Sequence, residues 1–314
     1  NDKFESDRLP DERLVEQAKA LQPPESDKTE DPSTKLSAAV DAEADCDSDD
    51  RNPRKEKGKR LPPPWPFIPI GGGGAFLALR RKDPYPVVLL HGILSSAAAM
   101  EESAHWVRSA LGHHVYVRCI EIGNGEADAF FKPMEWQLMQ LAREIQADPK
   151  LADGFNMIGY SQGSLLARAF VQRYDFPQVH VLVSWAGPQA GQFGVPAYAP
   201  LLQKLNHITS RMWYTPALQA NVSFSNYWRD PMRLQLYKKH STFLADINNE
   251  REVKNPMYAI RLARLEHFVL VYSPDDQIIK PALSAWFGFF RDNSTSEVVP
   301  VFDRELYTED RIGL

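Results

Sequence analysis

A serine between two glycines is the strongest chemical signal in the sequence. Gly159, Ser161 and Gly163 form a G-x-S-x-G pattern between an apolar run and a segment with helical spacing. A sharp turn from a strand into a helix needs glycines, because the serine backbone is strained and neighbouring side chains would collide. Such a turn lifts the hydroxyl above the sheet, and the N-terminus of the helix favours developing negative charge. The pattern predicts a nucleophile at Ser161, with an ordinary strand-to-helix turn as the alternative.

Two backbone N–H groups should stabilise the oxyanion that forms when such a serine attacks a carbonyl group. The residue after the nucleophile, Gln162, normally supplies one of them, and the loop that leaves an early strand supplies the other. His91 and Gly92 follow the first strongly apolar run, so the N–H of Ile93 is the second candidate. For His91 and Gly92, a simple turn with a hydrogen-bonded histidine is the alternative.

An acid is expected after a later strand, because enzymes built on this serine turn order their catalytic residues as Ser, then Asp or Glu, then His. The apolar run over residues 268–272 is followed by Asp275 and Asp276. Two aspartates at the C-terminal end of a strand suit this role. A pair that only forms a turn is the alternative.

The general base is the weak point of this triad, because no histidine follows the two aspartates. The eight histidines are His91, His105, His113, His114, His180, His207, His240 and His267. His267 opens the strand that precedes the acid and would face the opposite end of the sheet, and His180 lies early in a buried run. Without an imidazole, the hydroxyl of Ser161 cannot lose its proton as attack begins. We therefore expect the 314-residue chain to stop before its catalytic histidine.

Apolar runs and helical segments alternate along the chain. Strands are predicted over residues 87–90, 115–122, 155–159, 179–185 and 268–272, and helices over 96–111, 134–146, 164–174 and 257–265. Continuous apolar runs are typical of strands covered on both faces in a parallel sheet, and their alternation with helices indicates βαβ units. We predict an α/β fold with a mostly parallel, doubly wound sheet. Residues 188–256, rich in proline, are too long for a bare loop and are predicted to form an inserted helical cap.

The first 83 residues differ from the rest in composition. Residues 1–60 are charged and contain one aromatic side chain, Phe4, and a proline-rich stretch and four glycines follow. Such segments bury too little apolar area to offset the entropy lost on ordering. We predict a disordered tail and linker over residues 1–83 and one folded domain over residues 84–314.

Charge and cysteine content narrow the class of protein. The net charge of −5 argues against a nucleic-acid partner. No apolar run reaches the roughly 20 residues that span a bilayer. Cys46 and Cys119 are the two cysteines and give no disulfide framework. The glycine run at 71–74 lacks the Gly-Lys-Ser/Thr of a phosphate-binding loop. We predict neither a cofactor nor a metal ion.

Several segments resemble the palmitoyl-protein thioesterases. The resemblance runs from about residue 84 to residue 314 and includes the Ser161 motif, the loop 187–194 and the segments 226–231, 240–248, 286–289 and 306–314. The last four segments lie outside the catalytic core, so a general hydrolase would not share them. The resemblance implies an α/β-hydrolase fold with a helical cap.

The resemblance also assigns roles to individual residues. Ser161 matches the nucleophile, Asp276 the triad acid, and Ile93 and Gln162 the oxyanion-hole donors, whereas Asp275 matches no catalytic position. The family's histidine lies in a Gly-Asp-His segment shortly beyond the position of Leu314. The 314-residue chain is therefore expected to be inactive by itself. A last strand beside residues 268–272 is expected from the same missing segment.

The substrate that the resemblance implies is a long-chain fatty acyl thioester on cysteine, as in S-palmitoylated proteins, hydrolysed through an acyl-enzyme. The family's compartment is the lysosome or secretory lumen, where Asn221 and Asn293 would be glycosylation acceptors. Apolar cap residues such as Met212, Phe224 and Trp228 either line a groove for the acyl chain or pack as a core. The alternatives are a general lipase or carboxylesterase of the same fold, and a catalytically dead homologue that binds an acyl chain or a partner.

Overall fold

A parallel sheet of five strands forms the centre of the computed structural model, which describes residues 84–196 and 208–314. The strands are β1 Val87–Leu90, β2 Val117–Ile120, β3 Phe155–Tyr160, β4 Val179–Trp185 and β5 His267–Val271. They lie in the order β2-β1-β3-β4-β5, and every neighbouring pair is parallel. The predicted α/β class is confirmed. The predicted tail and linker, residues 1–83, lie outside the described residues.

The strand order reverses between β1 and β3. The chain passes from β1 out to β2 and then returns to β3 on the other side of β1. Loops that leave the carboxyl ends of two such strands diverge, and ligands of open α/β sheets bind in the crevice between them. The loop that begins at His91 and the turn at Ser161 leave these two strands. The topology therefore places the candidate nucleophile and the candidate oxyanion loop at one crevice.

Helices cover both faces of the sheet. They include α1 Glu101–Leu111, α2 Glu126–Phe131, α3 Met134–Gln146 and α4 Gln162–Arg173, with 3-10 turns at Ala97–Met100 and Pro149–Leu151. Alternate residues of a strand point to opposite faces. Val88 and Leu90 belong to a large core that includes residues of α3 and α4. Val87 and Leu89 instead pack with Ala104 of α1. The sheet is therefore doubly wound, as predicted.

The described part of the segment between β4 and β5 forms the predicted helical cap. Its short helices are α5 Ser210–Trp213, α6 Pro216–Asn221, α7 Ser223–Asn226, α8 Leu234–His240 and α9 Leu244–Ile247, with a 3-10 turn at Pro231–Arg233. The helix α10 Pro256–Leu262 then leads back to the sheet. Trp213, Phe224 and Trp228 are buried and pack ring against ring, with centroids 5.3 to 5.8 Å apart. These side chains form the core of the cap, which favours packing over an acyl groove for them.

The chain after β5 is less regular. It forms a 3-10 turn at Ala282–Trp286, an antiparallel pair of β6 Phe289–Phe290 and β7 Val298–Val299, a 3-10 turn at Val301–Asp303 and the helix α11 Glu305–Thr308. No described strand pairs with the outer edge of β5, whose Val269 and Val271 are 42% and 41% exposed. The further strand expected beyond Leu314 stays a prediction. No helix within residues 84–196 or 208–314 combines the length and apolar character needed to cross a bilayer.

A buried group of charges joins the cap to the C-terminal segment. Oε1 of Glu250 lies 3.0 Å from Nη2 of Arg229 and 3.3 Å from Nη2 of Arg304, and the hydroxyl of Tyr237 donates to Oε2 at 2.6 Å. All four residues are buried. Burial alone would raise the pKa of Glu250, but the two guanidinium groups outweigh burial and hold this pKa below its ordinary value. Glu250 is therefore ionised at neutral pH.

We expect Glu250→Gln to lower the free energy of unfolding at pH 7 by about 3–5 kcal/mol, because two buried guanidinium groups lose their carboxylate. A carboxyl group whose pKa falls on folding stabilises the protein above its unfolded-state pKa and loses that effect as pH falls through the folded-state pKa. The difference between wild type and variant should therefore be constant from about pH 5 to 7 and shrink in more acidic solution. Urea unfolding at several pH values measures it.

Glu297→Gln is the matched control for Glu250→Gln. Its ion pair with Arg291 has a similar distance, 2.7 Å, but both side chains are exposed. Exposed pairs contribute less than about 1 kcal/mol. If the two variants lost equal stability at pH 7, the buried group would have no special role in holding the cap.

Candidate active site

Ser161 lies at the turn from β3 into α4 with a backbone conformation that residues other than glycine rarely adopt. Its φ is 52° and its ψ is −122°, and such strain costs on the order of 1–3 kcal/mol. The N–H of Ser161 donates to the carbonyl oxygen of Trp185 at 2.8 Å, and the N–H of Ser164 donates to the carbonyl oxygen of Ser161 at 3.0 Å. The surrounding backbone thus holds the strained serine in place, as the G-x-S-x-G pattern requires.

The glycines around Ser161 are required by close backbone contacts. A Cβ on Gly163 would lie 2.5 Å from the carbonyl oxygen of His91 and 2.7 Å from that of Leu90. A Cβ on Gly159 would lie 2.5 Å from Cα of Ser164. Real Cβ atoms do not approach backbone this closely, so any side chain would push β1, β3 and the start of α4 apart. The two motif glycines therefore allow the loop after β1 to lie directly against the serine turn.

The two segments predicted to supply the oxyanion hole border Ser161. A Cβ on Gly92 would come 3.1 Å from Cβ of Ser161, so the loop that carries Ile93 lies beside the serine. Gln162 is the first residue of α4, and its N–H is one of those that a helix cannot bond internally. The structure thus brings these three residues into one neighbourhood. The action of the two N–H groups on an oxyanion stays a prediction.

A buried histidine and a carboxylate hold the loop after β1. Nδ1 of His91 lies 3.0 Å from the carbonyl oxygen of Gly92, and Nε2 lies 3.0 Å from Oε1 of Glu121. The other oxygen of Glu121 accepts the N–H of Ala97 at 2.9 Å. Glu121, just after β2, therefore ties both ends of the loop together. Sequence analysis missed Glu121, because its only signal was a carboxylate at the end of a predicted strand.

The side chain of Gln162 fixes the start of α4. Its Nε2 donates to the carbonyl oxygen of Ala129 at 2.8 Å and to Oε1 of Gln137 at 3.1 Å. Gln137 in turn donates to the carbonyl oxygens of Ala129 and Lys132, near the end of α2. All these contacts except that of Lys132 are buried. The residue expected to donate its backbone N–H is thus anchored through its side chain.

Asp276 lies in the loop that follows β5 and is held by backbone N–H groups. Its Oδ1 accepts from the N–H of Ile278 at 2.8 Å and from that of Ile279 at 3.0 Å. Asp276 is partly buried, whereas Asp275 is exposed. The two aspartates therefore differ in environment. Bonds from Oδ1 to the N–H groups two and three residues ahead are also those of an ordinary aspartate turn, so the catalytic role of Asp276 stays a prediction.

The sheet register places Ser161 and the acid loop, residues 272–281 after β5, at the same end of the sheet. Tyr160 of β3 is level with Trp185 of β4, which is level with Val271 of β5. Ser161 and the loop containing Asp276 leave the sheet directly after these residues. A nucleophile and an acid that both contact one imidazole need not touch each other. This spacing, across β4, is compatible with a triad.

His91, His180 and His267 do not offer a free imidazole beside Ser161 and Asp276. The ring of His91 is engaged as given above, and Nδ1 of His180 lies 2.8 Å from Oε1 of Glu266 while its ring stacks on Tyr85. His267 begins β5 and so lies at the opposite end from Asp276. His207 lies outside the described residues. No group of three or more potential metal ligands occurs within the part of the chain that the structure describes.

The two candidate glycosylation sites are both exposed at their asparagine. Asn293 lies in the turn between β6 and β7, with a positive φ of 62°. Asn221 ends α6, and Nδ2 donates to the carbonyl oxygen of Ala217 at 2.8 Å. The hydroxyl of Ser223, which completes that second pattern, is buried and donates to Ala129.

The sequence is similar to those of known proteins. The family profile described as palmitoyl protein thioesterase matches residues 86–314. Palmitoyl-protein thioesterase 3 of Dictyostelium discoideum is 46% identical over 230 residues, which cover 73% of this chain and 78% of the relative. Lysosomal thioesterase PPT2 of Homo sapiens is 31% identical over 272 residues, which cover 82% of this chain and 86% of the relative. Among solved structures, the mature lipase BlEst2 of Bacillus licheniformis has a TM-score of 0.39 at 15% identity, over 61% of this chain and 67% of the lipase.

Proposed function

Because this chain belongs to the palmitoyl-protein thioesterase family of hydrolases, we propose that it removes long-chain fatty acyl groups, palmitoyl among them, from S-acylated cysteine. Its substrates are then S-acylated proteins or peptides and other fatty acyl thioesters. The observation that carries the proposal is the strained turn at Ser161, where a serine lies beside the Gly92–Ile93 loop at the carboxyl end of the sheet.

The proposed reaction proceeds through an acyl-enzyme. The hydroxyl oxygen of Ser161 attacks the thioester carbonyl carbon while an imidazole accepts its proton. The carbonyl oxygen becomes an oxyanion, which the N–H groups of Ile93 and Gln162 stabilise. The C–S bond then breaks, the cysteine sulfur takes the proton from the imidazolium, and the acyl group stays on Ser161. Water, deprotonated by the same imidazole, attacks the carbonyl carbon of this ester. The bond between that carbon and the Ser161 oxygen breaks, the oxygen takes the proton back from the imidazolium, and the fatty acid is released.

Asp276 is proposed to orient the imidazole and to stabilise its protonated form. Two backbone N–H groups hold Oδ1 of this carboxylate. Asp275 is exposed, and we propose no such role for it. An amide at position 276 would not hold the required tautomer of the imidazole.

We expect Asp276→Asn to lower kcat for a palmitoyl thioester by roughly 10⁴-fold, because the imidazole loses its orienting carboxylate. Steady-state kinetics of the full-length protein measure this effect. Asp275→Asn is the matched control and should change kcat far less. A larger loss in Asp275→Asn would transfer the role of acid to Asp275.

The general base is proposed to be a histidine outside the described residues. The family resemblance implies that this histidine follows Leu314. We expect the chain 1–314 to hydrolyse the thioester no more than roughly 10³–10⁴-fold faster than the uncatalysed reaction in water. Binding and an oxyanion hole alone give a rate enhancement of that size. A longer form that carries the histidine should be active and should tolerate His207→Ala. Full turnover by the chain 1–314, abolished by His207→Ala, would identify His207 as the base instead.

The lysosomal or secretory lumen is the proposed compartment. The relatives from Homo sapiens and Drosophila melanogaster are named lysosomal thioesterases. The exposed turn at Asn293 supports glycosylation at that residue more strongly than the helical site at Asn221, whose Ser223 is buried. Glycosidase treatment of the secreted or lysosomal protein should reduce its mass, and Asn293→Gln should remove most of that change; an unchanged mass would contradict the proposal.

We expect Ser161→Ala to lower kcat of the full-length protein toward a palmitoyl thioester by roughly 10⁶-fold, because the nucleophile is lost. Ser296→Ala is the control, since Ser296 is exposed in the turn between β6 and β7. Near-normal turnover by Ser161→Ala would exclude Ser161 from the mechanism. An inactive wild type would support a dead binding homologue, and a higher kcat/KM for the matching oxygen ester would support a lipase or carboxylesterase.

A further inference from the structure

We propose that Gln192 is a positioning residue for Asp276, because its side-chain amide holds the loop that carries the acid. This inference rests on the proposed function, which makes Asp276 the triad acid. Gln192 lies in the loop after β4 and is 2% exposed. No catalytic motif includes it.

The amide of Gln192 is bonded to the acid loop on both sides of the Ile279 position. Nε2 donates to the carbonyl oxygen of Ile278 at 3.0 Å, and Oε1 accepts the N–H of Lys280 at 3.0 Å. Nε2 also donates to the carbonyl oxygen of Gly194 at 2.8 Å. Both N–H groups and the oxygen of this amide therefore make hydrogen bonds. A side chain without this donor and acceptor pattern cannot make the same contacts.

Ile278 connects these hydrogen bonds to Asp276. The N–H of Ile278 donates to Oδ1 of Asp276, and the carbonyl oxygen of the same residue accepts from Gln192. The N–H of Phe193 adds a main-chain bond to the carbonyl oxygen of Lys280 at 2.9 Å. The residues that hold the carboxylate are thus themselves held by the loop after β4.

The backbone of Gln192 is fixed to the cap. Its N–H donates to the carbonyl oxygen of Tyr227 at 3.0 Å, and its carbonyl oxygen accepts the N–H of Arg229 at 2.9 Å. Trp228, between those two residues, is buried in the aromatic core of the cap. Gln192 therefore links the cap core to the acid loop, and none of the hydrogen bonds described for it goes to Ile93 or Gln162.

Loss of the amide should lower kcat without a comparable change in KM. Without Gln192, the carbonyl group of Ile278 and the N–H of Lys280 lose a buried partner, so the loop can move to find others. Displacing a catalytic group by about 1 Å can reduce the rate on the order of 10²-fold. The proposal gives Gln192 no contact with the acyl chain or its carbonyl group, so substrate binding should change little.

The test compares Gln192→Met with wild type in the full-length protein, first alone and then together with Asp276→Asn. Methionine keeps the length of the side chain, and Gln192→Leu is the second variant if Gln192→Met folds poorly. We expect kcat to fall about 10–100-fold with Asp276 present. With Asn at position 276, the same substitution should change kcat less than about threefold, because residues that act through one another are not additive. An equal loss in both backgrounds, or no loss in the first, would overturn the inference.

Gln219→Met is the matched control. Gln219 is also a buried glutamine, and its amide donates to the carbonyl oxygens of Trp213 and Ser225 at 2.8 and 2.7 Å and accepts the N–H of Thr242 at 2.9 Å. Its bonds lie within the cap and not on the acid loop. The Gln219→Met variant should lose stability as Gln192→Met does. Its kcat should stay within about twofold of wild type, because Gln219 lies away from the reacting groups.

Hydrogen exchange separates a failure of this inference from a failure of the proposed function. The amides of Ile278, Ile279 and Lys280 should exchange at least about tenfold faster in Gln192→Met, but not in Gln219→Met, because local opening becomes easier. Unchanged exchange would overturn the inference whether or not the protein is active. If exchange rises but Asp276→Asn leaves kcat unaltered, the assignment of the acid is wrong while the contact between Gln192 and the loop stands.

Discussion

The strained backbone of Ser161 is the constraint on which the arrangement of the site depends. A φ of 52° and ψ of −122° persist only where the surroundings leave no room for relaxation. β1, β3 and β4 provide those surroundings, because Gly163 lies against the carbonyl groups of Leu90 and His91, and the N–H of Ser161 is bonded to Trp185. The same close approach brings the loop of Ile93 to the serine. A side chain on Gly163 would therefore disturb the turn and the candidate oxyanion hole together.

The loop after β4 connects the serine turn, the cap and the acid loop. Gly187, near the start of this loop, lies against Ser164 of α4. Gln189 accepts from Nε of buried Arg168 at 2.6 Å and donates to Ser184 Oγ at 2.9 Å. Gln192 then bonds the acid loop and the cap. A segment of six residues thus contacts three parts of the site that are distant in sequence.

The sequence predicted those features whose causes are local. The serine turn depends on glycines two residues away on either side, so it could be predicted without a structure. The place just after an apolar run indicated Asp275 and Asp276 together, and only the family resemblance selected Asp276, whose role stays a prediction. Gln192 and Ile278 lie 86 residues apart, and a glutamine reveals its bonding capacity but not its partner. Glu121 was missed for the same reason. The candidate groove residues Phe224 and Trp228 pack as the cap core, because an apolar pattern alone does not distinguish a core from a binding surface.

If Ser161 carries the acyl group during turnover, the acyl-enzyme can be trapped by quenching the full-length protein in acid while it hydrolyses a palmitoyl thioester, and then identified by mass spectrometry. We expect a palmitoyl ester on the peptide that contains Ser161, formed during turnover and lost once substrate is exhausted. Full activity with no adduct on that peptide, or with the adduct on another residue, would contradict it.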